Sequence, residues 1–140
     1  MKWTEYVQMK ALVTGATGFI GGNLTGELLK QSYEVRALVR EDSNRTNTQG
    51  LDIEVVLGDL RDRESLDRAL HGCDVLFHVA ASYTFWTPDP RVLYETNVQG
   101  TENILAAALA KGMEKVVYTS TESTIGIARN GDIGTEEMHA

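Results

Sequence analysis

The chain has 140 residues, 42% hydrophobic and 24% charged, the balance of one globular domain rather than a disordered segment. Lysine and arginine total 13 against 20 acidic residues, and the net charge of -7 argues against nucleic acid or an anionic membrane surface as partner. The longest apolar run, Ile104 to Ala110, is too short to span a bilayer, and the single Cys73 permits neither an internal disulfide nor a cysteine zinc site, which fits a reducing cytoplasm.

Residues 1–9 have no clear period and no cleavable apolar core. Met9 directly precedes the first strand-like run, so residues 1–8 are expected to be an N-terminal extension and residues 9–140 the domain. Lys10 to Thr14 reads as a strand, followed by glycines and a helix over Phe19 to Lys30 with Ile20, Leu24 and Leu28 on one face. Glu34 to Val39 is the second strand, Glu41 to Gly50 a polar connection, and Ile53 to Leu57 the third strand. Asp62 is placed to cap a short helix that runs to Leu70 and stops at Gly72. Asp74 to Val79 is a fourth strand, apolar enough to be covered on both faces. A long helix is expected from Pro90 to Lys111, with Gly112 past its end, and Lys115 to Ser120 is the fifth strand. Strands alternating with helices in this order mean parallel pairing through right-handed crossovers, an α/β doubly wound sheet of the Rossmann type. Such sheets bind ligands beyond the carboxyl ends of their strands, where the strand order reverses.

The first strand meets the first helix through Thr14-Gly15-Ala16-Thr17-Gly18-Phe19-Ile20-Gly21. Gly15 permits the tight turn, Gly18 lets a pyrophosphate approach the backbone, and Gly21 lets the helix pack closely on the strand. The helix N-terminus offers N–H groups and the positive end of its dipole to phosphates. The position between strand and helix, rather than the glycines alone, points to a dinucleotide, with Thr17, Phe19 and Ile20 counted among the cofactor-binding residues. The second strand ends Leu38-Val39-Arg40, without the acid that usually holds a ribose 2′-hydroxyl. Arg40 is either a solvated strand-end charge or a clamp for a 2′-phosphate; the sequence favours the clamp, hence NADP, with NAD the alternative. Arg36 alternates with apolar positions and is expected to face solvent.

The glycine run, Gly58-Asp59-Leu60, Phe77-His78-Val79-Ala80-Ala81, Asn97-Val98-Gln99-Gly100-Thr101 and Val117-Tyr118-Thr119-Ser120-Thr121 occur in one order. Together they resemble the extended short-chain dehydrogenase/reductases, the NAD-dependent epimerase/dehydratase family. Ala37-Leu38-Val39-Arg40 and Trp86-Thr87-Pro88-Asp89-Pro90 resemble its branch of dihydroflavonol 4-reductase-like proteins and hopanoid-associated sugar epimerases. The resemblance runs from Met9 to about Ile127. It implies that Asp59 accepts a hydrogen bond from the adenine amino group, with Leu60 against the ring. Ala80 and Ala81 would line the floor beneath the cofactor, although core alanines look the same in sequence. Asn97, a poor helix former, would order the backbone near the site. Thr121 matches the family's catalytic Ser or Thr, with Thr119, Ser120 and Ser123 as competitors for that role.

His78 reads as a packed core histidine, His71 as a helix-end residue and His139 as part of the tail, so no metal set is expected. Tyr83, Phe85 and Trp86 either border a substrate or cap the sheet edge. The family's Tyr-x-x-x-Lys acid/base pair is not found at its expected place. The one such spacing, Tyr6 to Lys10, enters the first strand, and the pair is expected beyond Ala140. The expected function is therefore the NADP(H)-binding portion of an enzyme that moves hydride between a nicotinamide cofactor and a carbonyl or sugar substrate. A stand-alone dinucleotide-binding or regulatory module without catalysis is the alternative. With the fifth strand lacking a neighbour, self-association is expected as well.

Overall fold

The computed structural model describes residues 8–126, 128 and 132–138. The expected extension lies outside these, Gln8 excepted, as do Tyr6 and His139.

Three apolar runs and a glycine turn set up the first half of the fold. Strand β1 (Lys10–Thr14) leads through the glycines into helix α1 (Phe19–Lys30), and β2 (Glu34–Val39) follows. All three have the bounds read from the sequence: the glycine turn separates β1 from α1, and polar residues, Gln31-Ser32 and Arg40-Glu41, follow α1 and β2. Then come a short 3-10 turn (Thr46–Thr48), β3 (Glu54–Leu57), α2 (Arg63–Leu70) and β4 (Val75–His78). Asp62 caps α2, its carboxylate accepting the Glu64 N–H at 3.1 Å.

The expected long helix is interrupted. Arg91–Tyr94 (α3) and Gly100–Lys111 (α4) are joined through a π turn over Glu95–Gln99, so one extra residue is accommodated without a break in the helical path. Gly112 ends α4 in the left-handed conformation, with φ of 65°, and β5 (Lys115–Tyr118) completes the sheet.

The sheet has five parallel strands in the order β3-β2-β1-β4-β5. Chain order runs outward from β1 in both directions, so the reversal falls between β1 and β4. Alternation along the strands divides the core. Leu12, Leu38 and Leu76 pack with Leu66, Leu70 and Ile104 of α2 and α4. Ala11, Val13, Val35, Ala37 and Val39 pack on the other face with Leu28 of α1. β1 lies in the middle and its residues from Ala11 to Thr14 are fully buried. Among the described residues β5 pairs only with β4, and all four of its residues are exposed, as is Leu109 of α4.

Arg36 corrects the expectation of a solvent-facing side chain. Its register opposite Leu12 puts it on the face covered by α2, where its side chain is only 11% exposed. One guanidinium nitrogen donates to the carbonyls of Ala69 at 2.8 Å and His71 at 2.6 Å, closing the C-terminus of α2. Its Nε lies 3.0 Å from Glu54 Oε2 but is not aimed well enough for a hydrogen bond. Lys10 and Arg36 hold the Glu54 carboxyl below the usual carboxylate range. This charged ladder joins β1, β2 and β3 at the end of the sheet where the strands begin.

Candidate functional site

At the opposite end, where β1 and β4 diverge, lies a cleft of about 720 Å³. Its walls include Gly15, Thr17, Gly18, Phe19, Ile20 and Gly21 from the first turn, Arg40 after β2, Asp59 and Leu60 after β3, and Ala80 and Ala81 after β4. Residues from four separate loops therefore meet in one place. Asn97 and Thr121 do not line it.

The three glycines are not equivalent. Gly15 has φ of +75°, and a Cβ there would come within 2.7 Å of the Ala80 backbone nitrogen. A Cβ on Gly21 would collide with the Gly15 carbonyl. Both are demanded by the fold itself. Gly18 has ordinary extended angles, and its Cβ would meet only the Gly15 oxygen, at 3.3 Å. The protein gives no strong reason for glycine at this position. Gly18 itself lines the cleft. Gly18 is also the N-cap of α1, so no side chain caps the helix, and its first turn holds no acid. The N-terminal N–H groups and dipole of α1 are thus available to an anion.

Arg40 stands at the rim with its side chain 60% exposed and only a loose contact to Asp42, at 3.7 Å. A turn closed by Ser43 N–H donating to the Arg40 carbonyl at 3.1 Å brings Ser43 to the same wall. Ser43 was not singled out from sequence, because it lies in a polar connection with no period. Ser82 and Thr96 line the cleft without a local signal either, whereas Leu38, Gly58 and Val79, which also line it, stand in the runs that carry the family resemblance. Tyr83 does line it, while Phe85 meets Tyr83 edge to face at 5.3 Å outside.

Asp59 is gripped by Arg61, whose Nε and a terminal nitrogen donate to its two oxygens at 2.9 and 2.8 Å. Arg61 holds the carboxyl below its usual range, so Asp59 is a charged acceptor at neutral pH. Asn97 sits in the π turn and forms a reciprocal pair with the backbone of Ser82. It donates to the Ser82 carbonyl at 2.8 Å and accepts from the Ser82 N–H at 2.7 Å. It thus ties the loop after β4 to the helix, one wall removed from the cleft. Thr121, exposed beyond β5, donates to Glu122 at 3.0 Å and caps the 3-10 turn Glu122–Thr124.

His78 is fully buried at the end of β4. Its Nδ1 lies 2.7 Å from the Thr14 hydroxyl and its Nε2 3.0 Å from that of Thr101. The Tyr118 ring stacks on it at 5.3 Å. Burial pushes the imidazole down to about 4, so the ring is neutral at physiological pH. Among the described residues no group of three or more His, Cys, Asp or Glu could hold a metal. No helix among them is long and apolar enough to cross a membrane.

A parallel sheet wound both ways from β1, with a glycine-lined cleft at its switch point, defines a Rossmann-type domain. Residues 11–140 match the NAD dependent epimerase/dehydratase family, and the chain belongs to it. A Synechocystis protein named as a candidate dihydroflavonol 4-reductase is 50% identical over 128 residues, 91% of this chain and 37% of that protein. Sterol demethylase protein B of Methylococcus capsulatus is 41% identical over 123 residues, 88% of this chain and 38% of its own length. The Thermus thermophilus UDP-glucose 4-epimerase, solved in complex with NAD, superposes with a TM-score of 0.82 at 32% identity, covering 94% of this chain and 44% of that one. The chain therefore spans little more than a third of the length of the curated relatives it matches.

Proposed function

We propose that the chain is the dinucleotide-binding portion of a nicotinamide-dependent reductase or epimerase/dehydratase, with NADP preferred over NAD. The observation that carries this reading is Gly18, which lines the cleft at the uncapped start of α1 with ordinary extended angles, where a Cβ would meet only the Gly15 oxygen, at 3.3 Å. The pyrophosphate would sit on this helix end. Asp59 would accept from the adenine amino group with Leu60 against the ring, and Ala80 and Ala81 would underlie the cofactor. Arg40 and Ser43 together offer a cation and a hydroxyl to a 2′-phosphate. Bound there, the cofactor supplies or accepts hydride, and the substrate of the whole protein would be a small carbonyl, alcohol or sugar compound. Thr121 would hydrogen-bond the substrate oxygen from beyond β5. The relatives named as reductases and the epimerase solved with NAD support this class of chemistry.

Calorimetric titration with NADP and NAD tests the proposal. A charge-assisted contact to the 2′-phosphate is worth about 1.5–3 kcal/mol, roughly ten- to a hundredfold in affinity. Arg40→Ala should lose most of the NADP preference and leave NAD binding nearly unchanged. Tighter binding of NAD by the wild-type chain would overturn the NADP assignment.

A further inference from the structure

The cleft floor depends on how one hydroxyl spends its hydrogen. Thr14, the last residue of β1, faces two backbone donors at once. Ala80 N–H points at its Oγ1 at 3.2 Å, and Val79 N–H is shared between Oγ1 at 3.2 Å and the Thr14 carbonyl at 3.3 Å. A hydroxyl oxygen has two lone pairs and one hydrogen. With both lone pairs facing N–H groups, the hydrogen must go to the third neighbour, His78 Nδ1, at 2.7 Å. Nδ1 is then an acceptor, and the ring proton sits on Nε2, which donates to Thr101 in α4 at 3.0 Å. The opposite tautomer would set three donors against two lone pairs inside the core.

We infer that His78 is a positioning residue of the cleft: its bare Nδ1 takes the Thr14 hydroxyl hydrogen and so turns both Thr14 lone pairs onto the Val79 and Ala80 amides. The consequence reaches the first glycine turn, since Ala80 packs so closely on Gly15 that a Cβ there would lie 2.7 Å from its nitrogen. Holding Ala80 therefore holds the Gly15 turn and, with it, the start of α1. The neutral ring that burial enforces is the form this arrangement needs.

This assignment rests on the proposed dinucleotide site for its functional consequence but not for its geometry, and the test separates the two. Nitrogen-15 spectra of the His78 ring in the wild-type chain at pH 7 should show a protonated Nε2 and a bare Nδ1; a protonated Nδ1 overturns the inference. His78→Asn places an amide oxygen near the former Nδ1 and keeps an acceptor for Thr14. His78→Gln extends toward Thr101 and loses that acceptor. With NADP as the probe, His78→Asn should bind within about threefold of wild type, whereas His78→Gln and Thr14→Val should lose at least about tenfold. Thr14→Ser should restore binding to the wild-type range. Equal losses in the Asn and Gln variants would overturn the inference. If the wild-type chain binds neither NADP nor NAD, the proposed function fails alone. Amide exchange at Ala80 then decides: faster in the Gln variant than in the Asn variant supports the positioning role, and equal rates refute it. Should His78→Gln fail to fold, the ring spectrum of the wild type remains decisive.

Discussion

Replacing Gly15 and Gly18 by alanine, one at a time, should separate what the fold needs from what a ligand needs. At Gly15 an alanine must adopt φ of +75°, which costs about 1–2 kcal/mol. Its Cβ would also press on the Ala80 nitrogen at 2.7 Å, and relieving such an overlap in packed structure costs about 1–3 kcal/mol. A total near 3 kcal/mol, against an unfolding entropy of about 0.3 kcal/mol per degree for a chain of this length, lowers Tm by about 10 °C. At Gly18 the angles suit any residue, and reduced freedom of the unfolded chain contributes about 0.4–1 kcal/mol of stability. The 3.3 Å contact with the Gly15 oxygen opposes this, so the net change stays within about 1 kcal/mol and Tm within about 3 °C. Binding should behave in the opposite way. A methyl group at Gly18 stands between phosphate and backbone, and losing one charge-assisted hydrogen bond of about 1.5–3 kcal/mol weakens the dinucleotide by roughly tenfold or more. Scanning calorimetry gives the two Tm values and titration calorimetry the affinities. A stable Gly18→Ala chain with wild-type affinity would show that no phosphate lies against this turn. A Gly15→Ala chain as stable as wild type would refute the steric reasoning itself.

Three further outcomes follow from the site and its supports. The folded imidazole of His78 sits near 4 against an ordinary 6.5, so the unfolded chain binds the extra proton. The stabilisation is complete above pH 6.5 and is lost as pH falls towards 4, by about 3 kcal/mol in all. The groups against the ring are the Thr14 and Thr101 hydroxyls and the Tyr118 ring, none of them charged at these pH values. Urea midpoints between pH 7 and 4 should therefore fall more steeply for wild type than for His78→Asn; parallel slopes would contradict this. Arg36→Met should cost about 2–3 kcal/mol in urea unfolding, because the Ala69 and His71 carbonyls lose their donor at the end of α2. Asn97→Ala leaves the Ser82 N–H and carbonyl without partners and should cost about 1–3 kcal/mol, with faster amide exchange at Ser82 and little change at β2.

What could be read from the sequence alone was local in origin. β1, α1 and β2 were placed to the residue because apolar runs end at glycines and strand-end polar residues within a few positions. Asp62 as a cap and Gly112 as a stop are likewise decided by neighbours in the chain. The glycine turn and Arg40 were legible from pattern, Asp59 and the two alanines only through the family resemblance; all sit at strand ends, and a parallel sheet sends every strand end to the same side, where they line one cleft. The tertiary structure decided the rest. Arg36 looked like a surface charge until the register of β2 set it under α2, against carbonyls 33 and 35 residues away. The long helix hides a π turn because periodicity does not record a single extra residue, and Asn97 finds its partner 15 residues back. His78 could be read as buried but not as bonded, since Thr14 lies 64 residues earlier and meets it only across the β1–β4 junction. Burial follows from a side chain's own chemistry, which the sequence states. The direction of a hydrogen bond depends on which distant donors the fold brings to the same oxygen, and only the packed sheet determines that.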